Sequence, residues 1–370
     1  MKLSVMQENL ARGLGIVSRA VSSRSTLPVL ANVLLRTEDA GLKLTATNLE
    51  IGMTYWVPGK IETEGAVTVP ARLIADIVNS LPAGERVDLE LEGTTLRIRS
   101  GRSHAQLRGI DAEEFPVIPS AGDEPTTRIS QRVLRQALSE VTFAAATDEA
   151  RPILTGVLTR LEGERMTLAA ADNYRIAVKT IPTLEPVEET SIVVPARSYA
   201  ELARVLGDSD DPVDLVIAQG RNQVLFHLES VDLVSRLIDG QFPNYQQVLP
   251  ASHSTRAVVD REELLKAVRL SALIASSSAN VVRMRLDGDA VGMTIAAAAD
   301  IGETEGQVEA ALEGDGVTIA FNARYLQEAL ANVDAEQLAL EFTGPLSPGV
   351  LKPVDDPDYV HVIMPVRTPS

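Results

Sequence analysis

The chain has 370 residues, more than one ordinary core accommodates, so two or three domains are expected. A hydrophobic fraction of 45% excludes a disordered chain, and 24 Gly and 20 Pro without a short period exclude a fibrous one. With 34 Lys and Arg against 51 Asp and Glu the net charge is −17, which argues against a uniformly basic surface, and the lack of Cys excludes disulfides, thiol nucleophiles and thiolate metal sites. The start, MKLSVMQENLARGLG, lacks the apolar core of a secretory signal, and no apolar run approaches the roughly 20 residues that cross a bilayer. A soluble, cytoplasmic, multidomain protein is expected.

In chain order, the first predicted helix covers 7–20, followed by LPVLANVLLR (27–36), a strand at 42–48 and Val-Pro-Ala-Arg at 69–72. That motif ends a β-branched run and opens a helix over 71–80, where Leu73, Ile74, Ile77, Val78 and Leu81 fall at helical spacing. Asp-Leu-Glu-Leu (88–91) and Phe115-Pro116 close this stretch. The same order then returns: a helix over 130–143, RPILTGVLTR (151–160), MTLAAADN (166–173), Val-Pro-Ala-Arg at 194–197, a helix over 196–206, Asp-Leu-Val-Ile (214–217) and Phe242-Pro243. A weaker third copy holds a helix over 260–273, GMTIAAAAD (292–300), Phe-Asn-Ala-Arg at 321–324, a helix over 323–332 and Leu-Ala-Leu-Glu (338–341). Units of this length can each form their own core, so the period marks a domain repeat. The expectation is an α+β protein of three tandem similar domains, each with two helices packed on antiparallel sheets, with boundaries near 122 and 253 (1–122, 123–253, 254–370).

The six helices carry 11 basic and 8 acidic residues, so the helices are net basic in an acidic chain. Arg24, Arg72, Arg132, Arg197 and Arg324 stand at or near helix starts, where a helical layer could meet a phosphate backbone without reading bases. Catalytic signals are sparse. The four His have no metal spacing, no GxSxG or GxGxxG occurs, and Gly59-Lys60 lacks the rest of a phosphate loop. Two acidic groups remain: Asp355, Asp356 and Asp358 in PVDDPDY, read as a solvated loop, and Glu303, Glu305 and Glu309, read as an acidic strand edge. The residues alone leave three readings: a protein whose helical layer meets nucleic acid, an acidic interaction scaffold, and a carboxylate hydrolase centred on Asp356.

Over essentially its whole length the chain resembles the bacterial sliding clamps, the β subunits of the replicative DNA polymerase III. The segments that carry the resemblance are MKLSV, TLPVLANVLL, VPAR, SGRS (100–103), EEFPVIP, ADNYRIAV (171–178), SIVVPAR, LIDGQFPNYQQVLP (237–250) and YVHVIMPVR (359–367). The resemblance implies a non-catalytic processivity factor that needs neither cofactor nor metal. It implies a head-to-tail homodimer closing a DNA clamp ring of six domains around double-stranded DNA, with helices inside. It also implies tethering of the replicative polymerase catalytic subunit and of other proteins with clamp-binding peptides, loading by an ATPase, and no membrane partner.

Residue by residue, the resemblance implies DNA contacts from Arg24, Arg72, Arg151 and Arg197. It places the dimer interface at the strand around Arg102 and Leu107, facing Leu273, Ile274, Glu303 and Glu305. It places a peptide pocket at Leu154, Tyr174, Arg175, Ile176, Pro243, Val248, Leu346, Val362, Met364, Pro365, Val366 and Arg367. The chain departs from the family pattern at four places. Pro152 and Ile153 stand where relatives have an aromatic pair, Gln247 replaces a frequent basic residue, and Asn173-Tyr174 replaces Gly-His or Ser-His. Thr368-Pro369-Ser370 follow the usual terminal Arg.

Overall fold

The computed structural model describes residues 1–22, 27–38, 41–118, 124–148, 150–218, 220, 222–287 and 292–367. Arg24, the expected boundary near 122 and Thr368-Pro369-Ser370 lie outside the described residues. Helices form where the repeat places them: α1 (Gln7–Val17), α2 (Ala71–Ser80), α3 (Gln131–Val141), α4 (Ala196–Val205), α5 (Arg261–Ala275) and α6 (Ala323–Asn332). Each third of the chain thus holds two helices among antiparallel strands, as three tandem similar domains. The expected ends shift slightly. The last residues assigned to the first helix tighten into a 3₁₀ turn at Ser18–Ala20, and Thr142–Ala144 do the same after α3. The apolar stripe of α2 is narrower than its spacing suggests: Ile74 and Val78 are buried, whereas Leu73 is half exposed.

The residue before the second helix of each domain shows why the repeat tolerates two sequences. Pro70 and Pro195 end their strands directly before α2 and α4. In the third copy Asn322 fills this place, and its side chain accepts the Arg324 backbone N–H at 2.9 Å. A Pro supplies fixed backbone geometry at that junction and an Asn supplies a cap, so either starts a helix.

The chain divides into two compact units, Met1–Gln131 with Arg204–Leu237, and Arg132–Ala203 with Ile238–Ser370. The middle domain is shared between them. In the first unit the strand Ile51–Thr63 is the connector: its start pairs with Val231–Ser235 of the middle domain and its end with Lys2–Val5. α1 and α2 pack together beneath this sheet. Gly13 of α1 is required there, because a Cβ would lie 2.6 Å from the Tyr55 ring. This sheet runs out to the strand Ser103–Arg108, which ends it.

The second unit contains most of α3 and α4, with all of α5 and α6. The strand Arg175–Pro195 of the middle domain pairs with Tyr359–Ile363 of the last, in a seven-stranded sheet. A separate four-stranded sheet is ended on one side by Gly302–Val308. Its core of Val268, Ile295, Phe321, Leu326, Leu330 and Tyr359 is closed to solvent under α5 and α6.

The Phe-Pro pairs mark equivalent local clusters. Phe115 packs with Val29 and Leu30, and Phe242 with Leu154 and Ile176. Each cluster adjoins the place where a middle-domain strand pairs with a neighbouring domain's strand.

Candidate functional site

The residues expected to form a pocket converge in the second unit around the start of the strand Arg175–Pro195. The turn before it is built by Asp172, whose carboxylate accepts the N–H groups of Tyr174 (2.7 Å) and Arg175 (3.0 Å). Ile176 then lies opposite Val362 and Arg175 opposite Ile363 in the antiparallel ladder. The Met364 N–H reaches back to the Tyr174 carbonyl at 2.7 Å, and the Val366 N–H bonds the Ala320 carbonyl at 2.8 Å. The segment 364–366 is thereby stretched between two strand ends. Leu154, Ile176 and Phe242 share one apolar cluster, against which Tyr245 packs. Tyr174, Val248, Leu346 and Met364 are apolar side chains left exposed. Pro243 is exposed beside Phe242, Pro365 and Val366 are partly buried, and Arg367 is exposed.

Arg175 departs from the expectation of a pocket surface residue, because it is only 6% exposed. Its guanidinium donates to Asp172 at 3.1 Å, to Glu328 of α6 at 2.5 Å and to the Phe143 carbonyl at 2.8 Å. It also lies over the Tyr325 ring at 4.5 Å and near the Phe143 ring at 5.4 Å. Burial pushes the Glu328 carboxyl upward, but hydrogen bonds from Arg324 and Arg175 outweigh this and hold it below its ordinary range. Arg175 is therefore a fixed strut beneath Tyr325. Tyr325, Glu328, Asp172 and Phe143 were not foreseen as members of the site. Tyr325 and Glu328 are ordinary amphipathic-helix positions in sequence, and nothing in their spacing joins them to residue 175.

A second buried charge cluster lies further along the same strand. Lys179 contacts Glu140 of α3 at 3.2 Å and pairs with Asp356. Burial lowers the Lys179 ammonium, but the hydrogen bond with Asp356 and the charge of Glu140 outweigh it and leave the group raised. Burial pushes the Glu140 carboxyl up despite Lys179. His361, opposite Ala177, is fully buried against Phe143, and burial with the nearby Arg175 pulls it down to about 3. It is a neutral packing residue. Asp358 pairs with Arg165, so two of the three acids of PVDDPDY are engaged in ion pairs. Among the described residues, no three side chains are grouped to hold a metal ion.

Of the candidate DNA-contacting arginines, Arg72, Arg151 and Arg197 lie among the described residues and are exposed. Arg72 lies in the first turn of α2 and Arg197 in the first turn of α4. Arg151 donates to the Asn173 side chain at 3.1 Å. For the candidate interface, Leu107 points into the first domain's core at 4% exposure, since it alternates with His104, Gln106 and Arg108, which face outward. What the strand Ser103–Arg108 offers is therefore its backbone edge and polar side chains. Arg102 is exposed at the turn before it. Leu273 is 71% exposed on α5, while Ile274 packs partly on the core and approaches Gly302. Glu303 and Glu305 stand on the edge strand Gly302–Val308, both exposed, as the acidic-edge reading expected.

Comparison with known proteins gives one answer along the whole chain. Residues 1–119, 128–244 and 246–367 match the N-terminal, central and C-terminal domains of the DNA polymerase III beta subunit. The beta sliding clamp of Synechococcus elongatus is 35% identical, and that of Staphylococcus aureus 29%, each covering all of both chains. Among solved structures, the DNA polymerase sliding clamp of Bacillus subtilis superposes with a TM-score of 0.94 at 29% identity over both full chains. A sliding clamp from Pseudomonas aeruginosa bound to griselimycin does so at 0.93 and 30%, again over both full chains. Three domain matches in the right order, full-length relatives and a shared fold establish that this chain belongs to the bacterial sliding clamps, the β subunits of DNA polymerase III.

Proposed function

We propose that two copies of this chain, head to tail, close a ring on duplex DNA and tether the replicative polymerase through the cleft around Tyr174 and Met364. The observation that carries the ring is a pair of sheet-ending strands of opposite character. Ser103–Arg108 is flanked by Arg102 and carries outward His104 and Arg108; Gly302–Val308 carries Glu303 and Glu305. Exposed edges invite further strand pairing, and a heterologous contact repeated twice closes without leaving one free. Leu273, exposed close by Ile274, would be covered in that contact, and Leu107 would support it from the core side. The domains of this reading are 1–122, 123–253 and 254–370.

Arg72, Arg151, Arg197 and Arg24 would meet phosphates without sequence preference, so the ring holds DNA by topology and slides. Exposed Val248, Leu346 and Met364 beside a buried Leu154–Ile176–Phe242 floor suit a linear peptide with apolar anchors. The solved Pseudomonas aeruginosa clamp bound to griselimycin supports a ligand site on this fold. A clamp-loader ATPase would supply the energy of opening, in the cytoplasm.

The test is retention on DNA. Clamp loaded onto a nicked circular plasmid by a matched loader should stay bound in high salt and escape once the plasmid is linearised. Binding that salt removes from circles and linear DNA alike would refute the ring.

A further inference from the structure

The edge strand Gly302–Val308 meets α5 along a seam of small residues. Gly302, Thr304 and Gly306 share the strand face opposite to that of Glu303 and Glu305, by the period of two. A Cβ at Gly306 would lie 3.6 Å from the Ala267 Cβ, and one at Gly302 4.0 Å from the Ile274 side chain, so this face packs on the helix. Ala267, Ser271 and Ile274 lie on one face of α5. With Ala267 at Gly306 and Ile274 at Gly302, Ser271 falls opposite Thr304. Beside Thr304 in the ladder stands Ala297 of the strand Met293–Ala299, which adds only a methyl group. The two hydroxyls in this seam are closed to solvent, and neither has a hydrogen-bond partner among the described residues. Ser271 is 1% exposed, yet its Oγ does not form the bond to the carbonyl one turn back that a helical Ser can make.

We propose that Ser271 and Thr304 hold one buried water between α5 and the edge strand, and that this bridge positions Glu303 and Glu305 for the joint between the two copies. The inference rests on the ring reading above and adds to it the residues that set the strand's place. Leaving a buried hydroxyl without a partner is costly, and an apolar pair at these positions would seal the seam without that cost. Two hydroxyls facing each other across Gly and Ala, with no side chain large enough to fill the space between them, supply the polar partners that a buried water needs. Water can accept from one hydroxyl and donate to the other, which satisfies both at once. Between Gly302 and Gly306 the strand has Thr304 as its one side chain on the helix face. The bridge therefore decides how this stretch sits, and with it the direction in which Glu303 and Glu305 leave the opposite face.

Two measurements on the whole protein test this. A high-resolution crystal structure should show one ordered water within hydrogen-bond distance of both Ser271 Oγ and Thr304 Oγ1. Hydroxyls bonded to each other or to the main chain, or a seam without water, overturn the assignment. Subunit exchange between isotopically heavy and light dimers, followed by native mass spectrometry, reads the joint. Ser271→Ala and Thr304→Val each strand the remaining hydroxyl and should speed exchange about fivefold. The double variant removes both polar groups and should exchange within about twofold of wild type, and Thr304→Ser, which keeps the hydroxyl, should do the same. Additive acceleration in the double variant overturns the shared bridge. Single variants that exchange at the wild-type rate, whether or not their melting temperature falls, make the pair merely structural and overturn the positioning role. A wild type that forms no dimer refutes the ring reading itself, while the crystallographic water still decides the bridge.

Discussion

Replacing Lys179 with Met isolates the electrostatics of the buried cluster it forms with Glu140 and Asp356. The ammonium lies 3.2 Å from Glu140, whose side chain is sealed from solvent, and it also pairs with Asp356. Met preserves most of the volume and the strand, but leaves Glu140 as a buried carboxylate without its counter-charge. Removing one partner of a buried pair costs about 3–5 kcal/mol. The Glu140 carboxylate keeps donors from Gln136 at 3.2 Å and from the Asp334 N–H at 3.4 Å, both on the oxygen that does not face Lys179. Those bonds place the cost near the lower end, ~3 kcal/mol. For a cooperative unit of this size that corresponds to a fall in the unfolding midpoint of roughly 6–12 °C.

The loss depends on pH in a direction that follows from Glu140. Burial raises its carboxyl above the ordinary 4.5, so its share of stability is full below that value and is lost as pH rises through the folded-state value. Without Lys179 the folded-state value climbs further, and the deficit of Lys179→Met should be small near pH 4.5 and grow toward neutrality. In the wild type the raised Lys179 acts at the other end: its contribution is intact below 10.5 and is lost as pH climbs past the folded-state value. Differential scanning fluorimetry across this range reads both limbs. The double variant Glu140→Gln with Lys179→Met should recover most of the midpoint, because it removes the stranded charge as well. A pH-independent deficit, or a double variant no more stable than Lys179→Met, would refute the reasoning.

Met364→Ala should weaken a Leu- and Gln-containing peptide by about tenfold while the dimer persists, and an affinity within about twofold of wild type would remove Met364 from the cleft. Arg72→Ala with Arg197→Ala should lower the salt dependence of DNA association, the slope of log K against log salt falling by about 0.9 for each phosphate that is no longer neutralised; an unchanged slope would take these residues off the DNA-facing surface. Leu273→Glu should shift the protein from dimer to monomer in multi-angle light scattering, since it sets a charge into the apolar part of the proposed joint. Asn322→Ala should destabilise by about 1 kcal/mol through loss of the α6 cap, whereas an unchanged denaturant midpoint would show that the cap is replaceable.

What the sequence shows plainly is whatever local patterning controls. The repeated Val-Pro-Ala-Arg marks two helix starts correctly because strand end and helix start are fixed by adjacent residues, and α6 begins where Phe-Asn-Ala-Arg predicts although its cap is chemically different. Phe115 and Phe242 recur because each anchors the same small cluster beside an inter-domain strand pairing. The strand face of Leu107 is also readable from alternation: Leu107 lies on the same face as the buried Leu96 of the neighbouring strand, so its place in the core follows from period two. Other features require long-range placement. The partners of Arg175 come from positions 143, 172 and 328, and those of Lys179 from 140 and 356, so neither cluster leaves a motif. A buried Arg and an exposed one look alike in sequence, and here the difference decides the role: buried Arg175 cannot reach out to a peptide as a free cation, but it can hold Tyr325 and, through it, Tyr174 in a fixed stack. The pocket residues assigned by resemblance therefore fall into two kinds. Tyr174, Val248, Leu346 and Met364 are exposed, free to touch a ligand, while Arg175, Ile176, Leu154 and Val362 are buried. Substitutions in the first group should change affinity or specificity at constant stability, and those in the second should lower stability first and affinity only as a consequence.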